Sequence, residues 1–131
     1  MKNNTTSTKT FDTAAKPKGL VRLYFAIKNS SRAFAWLLKN EAAFRQEAAV
    51  LVIAILLSFL LKITATEQVL LIAAILFVML VEIINTAIEA IVDRIGVELH
   101  PLSGLAKDLG SAAVSISLLL ALLTWVVICF L

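Results

Sequence analysis

The sequence predicts an all-α membrane protein in which an N-terminal amphipathic surface helix precedes three transmembrane helices. Of the 131 residues, 60% are hydrophobic and the mean hydropathy is +0.94, whereas soluble domains are about half apolar. Three apolar runs follow a polar, basic N-terminal region, and each has, or nearly has, the length that a helix needs to cross a bilayer. A monomer of this size has too few helices to enclose a polar site, so we also expect the chain to form an oligomer.

The N-terminal region divides into a tail and a helix. Residues 1–18 are rich in Thr, Asn and Lys, which predicts a flexible polar tail, and residues 19–131 are predicted to form a single membrane-embedded domain. Pro17 and Gly19 precede a helical stretch over about residues 20–39, whose apolar and basic side chains separate on a helical wheel. This separation predicts an amphipathic helix that lies in the membrane interface. The apolar side contains Leu20, Leu23, Ile27, Phe34, Leu37 and Leu38, and the basic side contains Lys18, Arg22, Lys28, Arg32 and Lys39.

The three spans are predicted at about residues 46–64, 68–92 and 109–131. The first apolar run, residues 48–61, would give only about 21 Å of helix, which is short for a span. It becomes long enough if the helix begins before Glu47 and Lys62 extends its amine outward; a re-entrant segment is the alternative. Residues 62–68 are predicted as a turn and residues 93–108 as a polar loop.

The charge distribution predicts the topology. Nine of the twelve Lys and Arg residues precede residue 48, where only three acids occur. A basic arm next to membrane spans is typical of positive-inside topology and contact with anionic lipids, so we expect no nucleic-acid partner. The N-terminus and the 93–108 loop are therefore predicted to face the cytoplasm. The single cysteine, Cys129, excludes an internal disulfide and a cysteine-rich metal site.

Four polar side chains interrupt the second span. Glu82, Asn85, Glu89 and Asp93 fall at roughly 0°, −60°, −20° and +20° on a helical wheel, so they share one face. Carboxylates at membrane depth are costly and indicate a site that binds cations or moves protons. Glu82 lies about 10 Å deeper than Glu89 along the helix. The shallower Glu89 suits a hard cation such as Mg²⁺, and Glu82 suits a group that is held within the lipid.

Lys107 stands near the start of the third span, where free backbone N–H groups favour anions. Together with a carboxylate metal site, this lysine makes phosphoryl transfer plausible, because metal and cation neutralise charge while a base orients the nucleophile. The alternative is that Lys107 and Asp108 only pair with each other or cap the helix. His100, a lone histidine in the loop, is more typical of a structural or solvated residue than of a metal ligand.

Three segments together resemble a known family. They are Asn-Glu-Ala-Ala-Phe-Arg-Gln-Glu at 40–47, Glu-Ile-Ile-Asn-Thr-Ala-Ile-Glu-Ala-Ile-Val-Asp at 82–93 and Ser-Gly-Leu-Ala-Lys-Asp-Leu-Gly-Ser-Ala-Ala-Val at 103–114. This combination closely resembles prokaryotic diacylglycerol kinase from about Gly19 to the C-terminus. The resemblance implies a homotrimeric inner-membrane enzyme that transfers the γ-phosphate of MgATP to diacylglycerol, with each site assembled between neighbouring subunits.

The resemblance also implies roles for residues at matching positions. Glu82 would be the base on the lipid hydroxyl, with Asn85 orienting the reacting groups, and Glu41 and Glu89 would hold Mg²⁺. The nucleotide would be contacted by Arg22, Asn29, Glu41, Glu89, Glu98, Leu99, His100, Lys107 and Asp108. The lipid would be contacted by Arg22, Ile27, Ser30, Ser31, Ala43, Phe44, Arg45, Gln46, Glu47, Glu82 and Ser111.

Other functions remain as alternatives. Undecaprenol kinase is the nearest, because it would use the same carboxylates on a polyprenol. A proton-coupled transporter would use Glu82 as its carrier site, but it gives no role to Lys107, Asp108 or Glu41. A pore-forming or signalling subunit does not need a stripe of carboxylates.

Overall fold

The computed structural model describes residues 18–96 and 100–131, and within these ranges every regular element is an α-helix. The elements are α1 (Gly19–Asn40), α2 (Ala42–Leu60), α3 (Ala65–Ile95) and α4 (Pro101–Phe130). The predicted all-α class is thus confirmed. The last three helices are long and apolar enough to cross a membrane, so the protein is a membrane protein with three candidate spans.

The chain divides into two compact units after Trp36, and each is described by itself. The first contains α1 as far as Trp36, and the apolar side chains of this part, among them Leu20 and Ile27, are exposed. Within this unit Ser31 Oγ donates to the Ile27 carbonyl at 2.9 Å, and Arg32 Nη2 donates to Asn29 Oδ1 at 3.3 Å. The helix predicted over residues 20–39 is therefore present.

The second unit contains the three candidate spans, and α2 is the first of them. It begins at Ala42, well before Glu47, as a span of sufficient length requires. Its 19 residues give about 28 Å of helix, close to the thickness of a bilayer core. Arg45 stabilises the start of α2. Its Nη1 donates to the carbonyls of Leu38 and Lys39, at the C-terminal end of α1, at 3.4 and 3.3 Å.

The turn between α2 and α3 is shorter than predicted. The sequence places the turn at residues 62–68, whereas α3 already begins at Ala65. A capping box starts the helix early: Thr64 Oγ1 accepts from the Glu67 backbone N–H at 3.3 Å, and the Thr64 N–H donates to Glu67 Oε2 at 2.7 Å. Such reciprocal bonds satisfy two N–H groups that helix formation leaves without partners.

The predicted polar loop at residues 93–108 is mostly helical, which corrects the sequence interpretation. Helix α3 continues to Ile95, and α4 begins at Pro101. Proline is favoured in the first turn of a helix because its fixed φ suits the helix and the N–H that it lacks would have no intrahelical partner there. His100 is the N-cap, and its Nδ1 accepts from the Leu102 N–H at 3.2 Å. Lys107 and Asp108 therefore lie inside α4, in its second turn.

Helix α3 is the centre of this unit, because it packs against both α2 and α4. Its buried residues are Leu71, Ile75, Val78, Glu82 and Asn85, spaced alternately by four and three, as expected for one face of a helix. The buried residues of α4 are small, namely Gly110, Ser117 and Ala121, which allows close helix approach in a membrane. The face of α3 that packs the helices is thus the face that carries Glu82 and Asn85.

Candidate active site

Glu82 and Asn85 are both buried, each with 8% of its surface exposed. They continue the packing face of α3 that begins at Leu71, so the helix period brings two polar side chains into an apolar contact surface. A buried carboxylate is costly unless it has a proton, a cation or hydrogen-bond donors. The burial of Glu82 predicted from the sequence is therefore observed within a single chain, and it requires a chemical explanation.

Asn85 connects this buried pair to the next carboxylate along α3. Its Nδ2 donates to Glu89 Oε1 at 3.0 Å, a pairing typical of residues four apart on a helix. Its Oδ1 is buried and has no hydrogen-bond partner among the described residues. This oxygen lies against Gly110 of α4, where a Cβ atom would overlap it. Asn85 is therefore held between Glu89 on its own helix and the backbone of α4.

A groove of about 560 Å³ opens next to Glu82. Its polar lining consists of Gln46, Glu47 and Glu82, and Glu47 Oε2 is buried without a partner in the part of the chain that the structure describes. The remaining lining comes from all three spans: Ala43, Val50, Ile53, Ala54, Leu57, Ile75, Val78, Val114, Leu118, Ala121, Leu122 and Trp125. The groove is thus apolar along most of its length and has carboxylates at one level, which matches the pattern of a small-ligand site.

The groove extends along the spans. Trp125 Nε1 donates to the Leu71 carbonyl at 3.3 Å, which places the indole at the level of Leu71. Leu71 precedes Glu82 by eleven residues, or about 16 Å along α3. A ligand in the groove would therefore meet carboxylates at one end and an apolar wall that includes the Trp125 ring toward the other.

Lys107 connects α4 to α3 through an ion pair with Asp93, with 2.5 Å between Nζ and Oδ1. Both side chains are partly exposed, so the pair is accessible from solvent. Lys107 also interacts electrostatically with Glu89, which in turn interacts with Glu82. The alternative pairing of Lys107 with Asp108 is not observed, because the salt-bridge partner is Asp93.

Several predicted site residues are thus brought together. The carboxylate of Glu82 is repelled by those of Glu41, Glu47 and Glu89, which carry the same charge. Glu41 is the N-cap of α2, and its side chain makes no capping bond. In residues 18–96 and 100–131, however, no three acidic, histidine or cysteine side chains converge closely enough to hold a metal ion. Carboxylates are nevertheless the ligand type that Mg²⁺ prefers, so this donor set fits that ion chemically.

Other predicted residues lie elsewhere. Ser111 and Asp108 are exposed and Phe44 is buried, and none of them lines the groove; Arg45 contacts the end of α1 instead. Glu98 and Leu99 lie outside the described residues. The remaining predicted contacts belong to α1 in the first unit, which is described by itself: Arg22, Ile27, Asn29, Ser30 and Ser31.

Two features of the site were not predicted from the sequence. Gly110 contacts Asn85, yet nothing in the sequence distinguishes it from Gly104, because both glycines lie in the same helix. Trp125 lines the groove, although the sequence indicated only that it lies near the end of the third apolar run. Neither contact has a local sequence signal, since each depends on how α4 is aligned with α3.

The fold and site define a class: a helical membrane protein whose buried carboxylates border an apolar groove. A family model described as prokaryotic diacylglycerol kinase matches residues 28–129. The diacylglycerol kinase of Escherichia coli K12 is 52% identical over 94 residues, which cover 72% of this chain and 75% of that protein. Those of Haemophilus influenzae and Pseudomonas aeruginosa are 44% identical over 110 residues, covering 84% of this chain and 93% and 89% of theirs.

The chain therefore belongs to the prokaryotic diacylglycerol kinase family. This confirms the resemblance drawn from segments 40–47, 82–93 and 103–114, all of which lie within the matched range. The protein is an enzyme of the kinase type, a phosphotransferase. The two segments that define the site on α3 and α4 also supply the residues in contact, namely Asn85, Glu89 and Gly110.

Proposed function

We propose that this enzyme transfers the γ-phosphate of ATP to the free hydroxyl of diacylglycerol, producing phosphatidic acid and ADP. The observation that carries the proposal is the burial of Glu82 at the polar end of an apolar groove. Diacylglycerol has the complementary shape, since its acyl chains suit the apolar walls and its only hydroxyl would lie beside the carboxylate. Family membership supports the same substrate.

Glu82 acts as the general base in this reaction. The lipid hydroxyl oxygen forms a new bond to the γ-phosphorus, the bond from that phosphorus to the β–γ bridging oxygen breaks, and the hydroxyl proton passes to Glu82. A carboxylate suits this role when it lies within hydrogen-bond distance of the proton that it removes. Asn85 orients the reacting groups, because its amide is held between Glu89 and α4.

Glu89 and Glu41 hold the metal in this proposal. Both carboxylates interact electrostatically with Glu82, and one oxygen of Glu89 accepts the bond from Asn85. When bound there, Mg²⁺ would neutralise charge on the ATP phosphates and orient them for in-line transfer. Glu82, seven residues from Glu89, lies about 10 Å farther along α3, so one helix separates the metal-binding carboxylate from the base.

Lys107 binds the nucleotide phosphates. Its ammonium is partly exposed and is already attracted to the carboxylates of Asp93 and Glu89, so it lies beside the proposed metal ligands. A cation near transferring phosphates stabilises the charge that they carry in the transition state. The other nucleotide contacts are those predicted from the family resemblance: Arg22, Asn29, Glu98, Leu99, His100 and Asp108.

The lipid site combines the groove with the predicted contacts on α2. Ala43, Gln46 and Glu47 line the groove, whereas Phe44, Arg45 and Ser111 do not, so their lipid contacts would lie outside it. The contacts that the resemblance implies for α1 complete the predicted lipid site: Arg22, Ile27, Ser30 and Ser31.

We further propose that the enzyme is a homotrimer in the bacterial inner membrane, with residues 19–131 as its kinase domain and its N-terminus in the cytoplasm. The orientation is supported by nine of twelve basic residues before position 48. The assembly is supported by the openness of the site, because α3 packs against α2 and α4 while those two helices do not pack against each other. A neighbouring subunit would cover the side that a single chain leaves open.

The test is transfer of labelled γ-phosphate from ATP to lipid by purified protein in mixed micelles, with diacylglycerol and undecaprenol offered together, with and without Mg²⁺. Mg²⁺-dependent formation of phosphatidic acid is expected. Preferential labelling of the polyprenol would assign the enzyme to undecaprenol instead. Absence of any labelled lipid from folded protein would overturn the proposal and direct attention to proton transport through Glu82.

A further inference from the structure

Gly110 lies where the backbone of α4 meets the side chain of Asn85. A Cβ atom built on Gly110 would overlap Asn85 Oδ1 and would lie 3.2 Å from its Cγ. Gly110 is also buried, so the region offers the displaced group little space. The other glycine of the same helix, Gly104, has no atom within 4 Å of the corresponding position. The two glycines therefore differ in surroundings although they share a helix.

Asn85 has little freedom to respond to such a displacement. It is 8% exposed, its Oδ1 has no hydrogen-bond partner in the described part of the chain, and its Nδ2 donates to Glu89. Because the oxygen lies against Gly110, the amide nitrogen is directed toward Glu89. Moving the oxygen would rotate or shift the amide and weaken the bond to the Glu89 carboxylate.

We propose that Gly110 is a positioning residue for the phosphotransfer site. By leaving room for Asn85 Oδ1, it keeps the Asn85 amide on Glu89 and thereby fixes that carboxylate relative to Glu82. Gly110 itself contacts no reacting atom; it acts through Asn85. The positioning role rests on the proposed function, whereas the contact between Gly110 and Asn85 does not.

The comparison of Gly110→Ala with Gly104→Ala separates this contact from the general effect of alanine. Alanine favours a helix more than glycine does, so Gly104→Ala is expected to unfold at the same or a higher temperature than wild type. Gly110→Ala introduces a methyl group into occupied space, so it is expected to unfold at a lower temperature. Replacing Asn85 with Ala as well removes the side chain that the new methyl group would meet. Gly110→Ala/Asn85→Ala is therefore expected to unfold at no lower a temperature than Asn85→Ala alone.

Thermal unfolding in detergent, without ATP or Mg²⁺, measures these differences for wild type, the two alanine variants, Asn85→Ala and the double variant. If Gly110→Ala lowers the unfolding temperature equally in the presence and absence of the Asn85 side chain, the contact is overturned. If Gly110→Ala alone fails to fold, recovery of folded protein in the double variant supports the contact, and failure of both variants overturns it.

Kinetics test the positioning role. Gly110→Ala is expected to lower kcat by about tenfold or more, as small displacements at reacting centres do, and to raise the Mg²⁺ concentration required for half-maximal rate. The KM for diacylglycerol should stay within about twofold, since Gly110 does not line the groove. In the Asn85→Ala background, Gly110→Ala should cause no further loss of kcat.

The outcomes distinguish the two proposals. The effect of Gly110→Ala on the unfolding temperature could depend on Asn85 while kcat and the Mg²⁺ dependence stay unchanged. That result would overturn the positioning role alone. A further loss of kcat in the Asn85→Ala background would also overturn it, since Gly110 would then act by another route. If wild type phosphorylates no lipid, the proposed function fails and the positioning role fails with it, while unfolding still reports on the contact.

Discussion

Replacing Glu82 with Gln isolates the role of the proposed base. Gln has nearly the same shape but cannot accept a proton, so the groove and the packing face of α3 are preserved. We expect kcat to fall by about 10²- to 10⁴-fold, the usual contribution of a general base. At about 1.36 kcal/mol per tenfold change, this loss corresponds to about 2.7 to 5.4 kcal/mol of transition-state stabilisation.

The same substitution should not destabilise the protein. Glu82 is buried, and its carboxylate interacts electrostatically with those of Glu47, Glu89 and Glu41. A neutral amide costs about 1–3 kcal/mol to bury without partners, less than an ionised carboxylate in the same place. The midpoint of thermal unfolding in Glu82→Gln is therefore expected at or above that of wild type.

The assay measures transfer of labelled phosphate to diacylglycerol over a range of Mg²⁺ concentrations, alongside binding of a fluorescent ATP analogue. Glu82→Gln should bind the analogue normally and stay inactive at all Mg²⁺ concentrations, whereas Glu89→Gln should regain part of its activity at high Mg²⁺. A loss of less than tenfold in Glu82→Gln would refute its role as base. Metal-independent losses of equal size in both variants would refute the separate roles.

Three further predictions test other parts of the structure. Lys107→Gln should raise the KM for ATP but not that for diacylglycerol, whereas Asp93→Asn should leave the KM for ATP unchanged or slightly lower, because solvent screens an exposed ion pair and leaves it little energy to hold the lysine; a higher KM in Asp93→Asn would contradict this. Thr64→Ala should lower the free energy of unfolding by about 1 kcal/mol through loss of the capping bond, with an unchanged kcat; denaturant titration and the phosphate-transfer assay check both parts. Leu122→Trp should fill part of the groove and raise the KM for diacylglycerol only, whereas Leu123→Trp, also exposed but outside the groove, should not; equal effects of the two in steady-state kinetics would show that the groove does not bind the lipid.

The helices and the polar face of α3 were predictable because they depend on local periodicity. The spacing of Glu82, Asn85 and Glu89 places them on one side of any helix, whatever surrounds it. The ends of the helices were less predictable. Thr64 and Glu67 form a capping box, a local signal that the predicted turn overlooked, and Pro101 begins a helix where the sequence analysis placed a polar loop.

The contacts between helices could not be read from the sequence. Whether Gly104 or Gly110 meets Asn85 depends on the axial alignment of α4 against α3, which residues far apart in the chain decide together. Likewise, the carboxylate that pairs with Lys107 is Asp93 rather than the adjacent Asp108, because successive residues on a helix point about 100° apart. Motifs indicate candidate functional residues, whereas the packing of the helices determines which side chains they contact.

The placement of the site on a packing face has a mechanistic consequence. From Leu71 to Asn85, the same face of α3 is buried against its neighbours, so a shift of Glu82 along the helix axis would disturb the packing of that face. The interval between Glu82 and Glu89 is set by two turns of helix, which is a stiffer connection than a loop. In the proposed mechanism one substrate comes from the bilayer and the other from water, so the base and the metal ligands would lie at two different depths. One continuous helix would provide both positions, and this would explain why costly carboxylates lie on a helix whose buried Leu71, Ile75 and Val78 show that apolar side chains pack there.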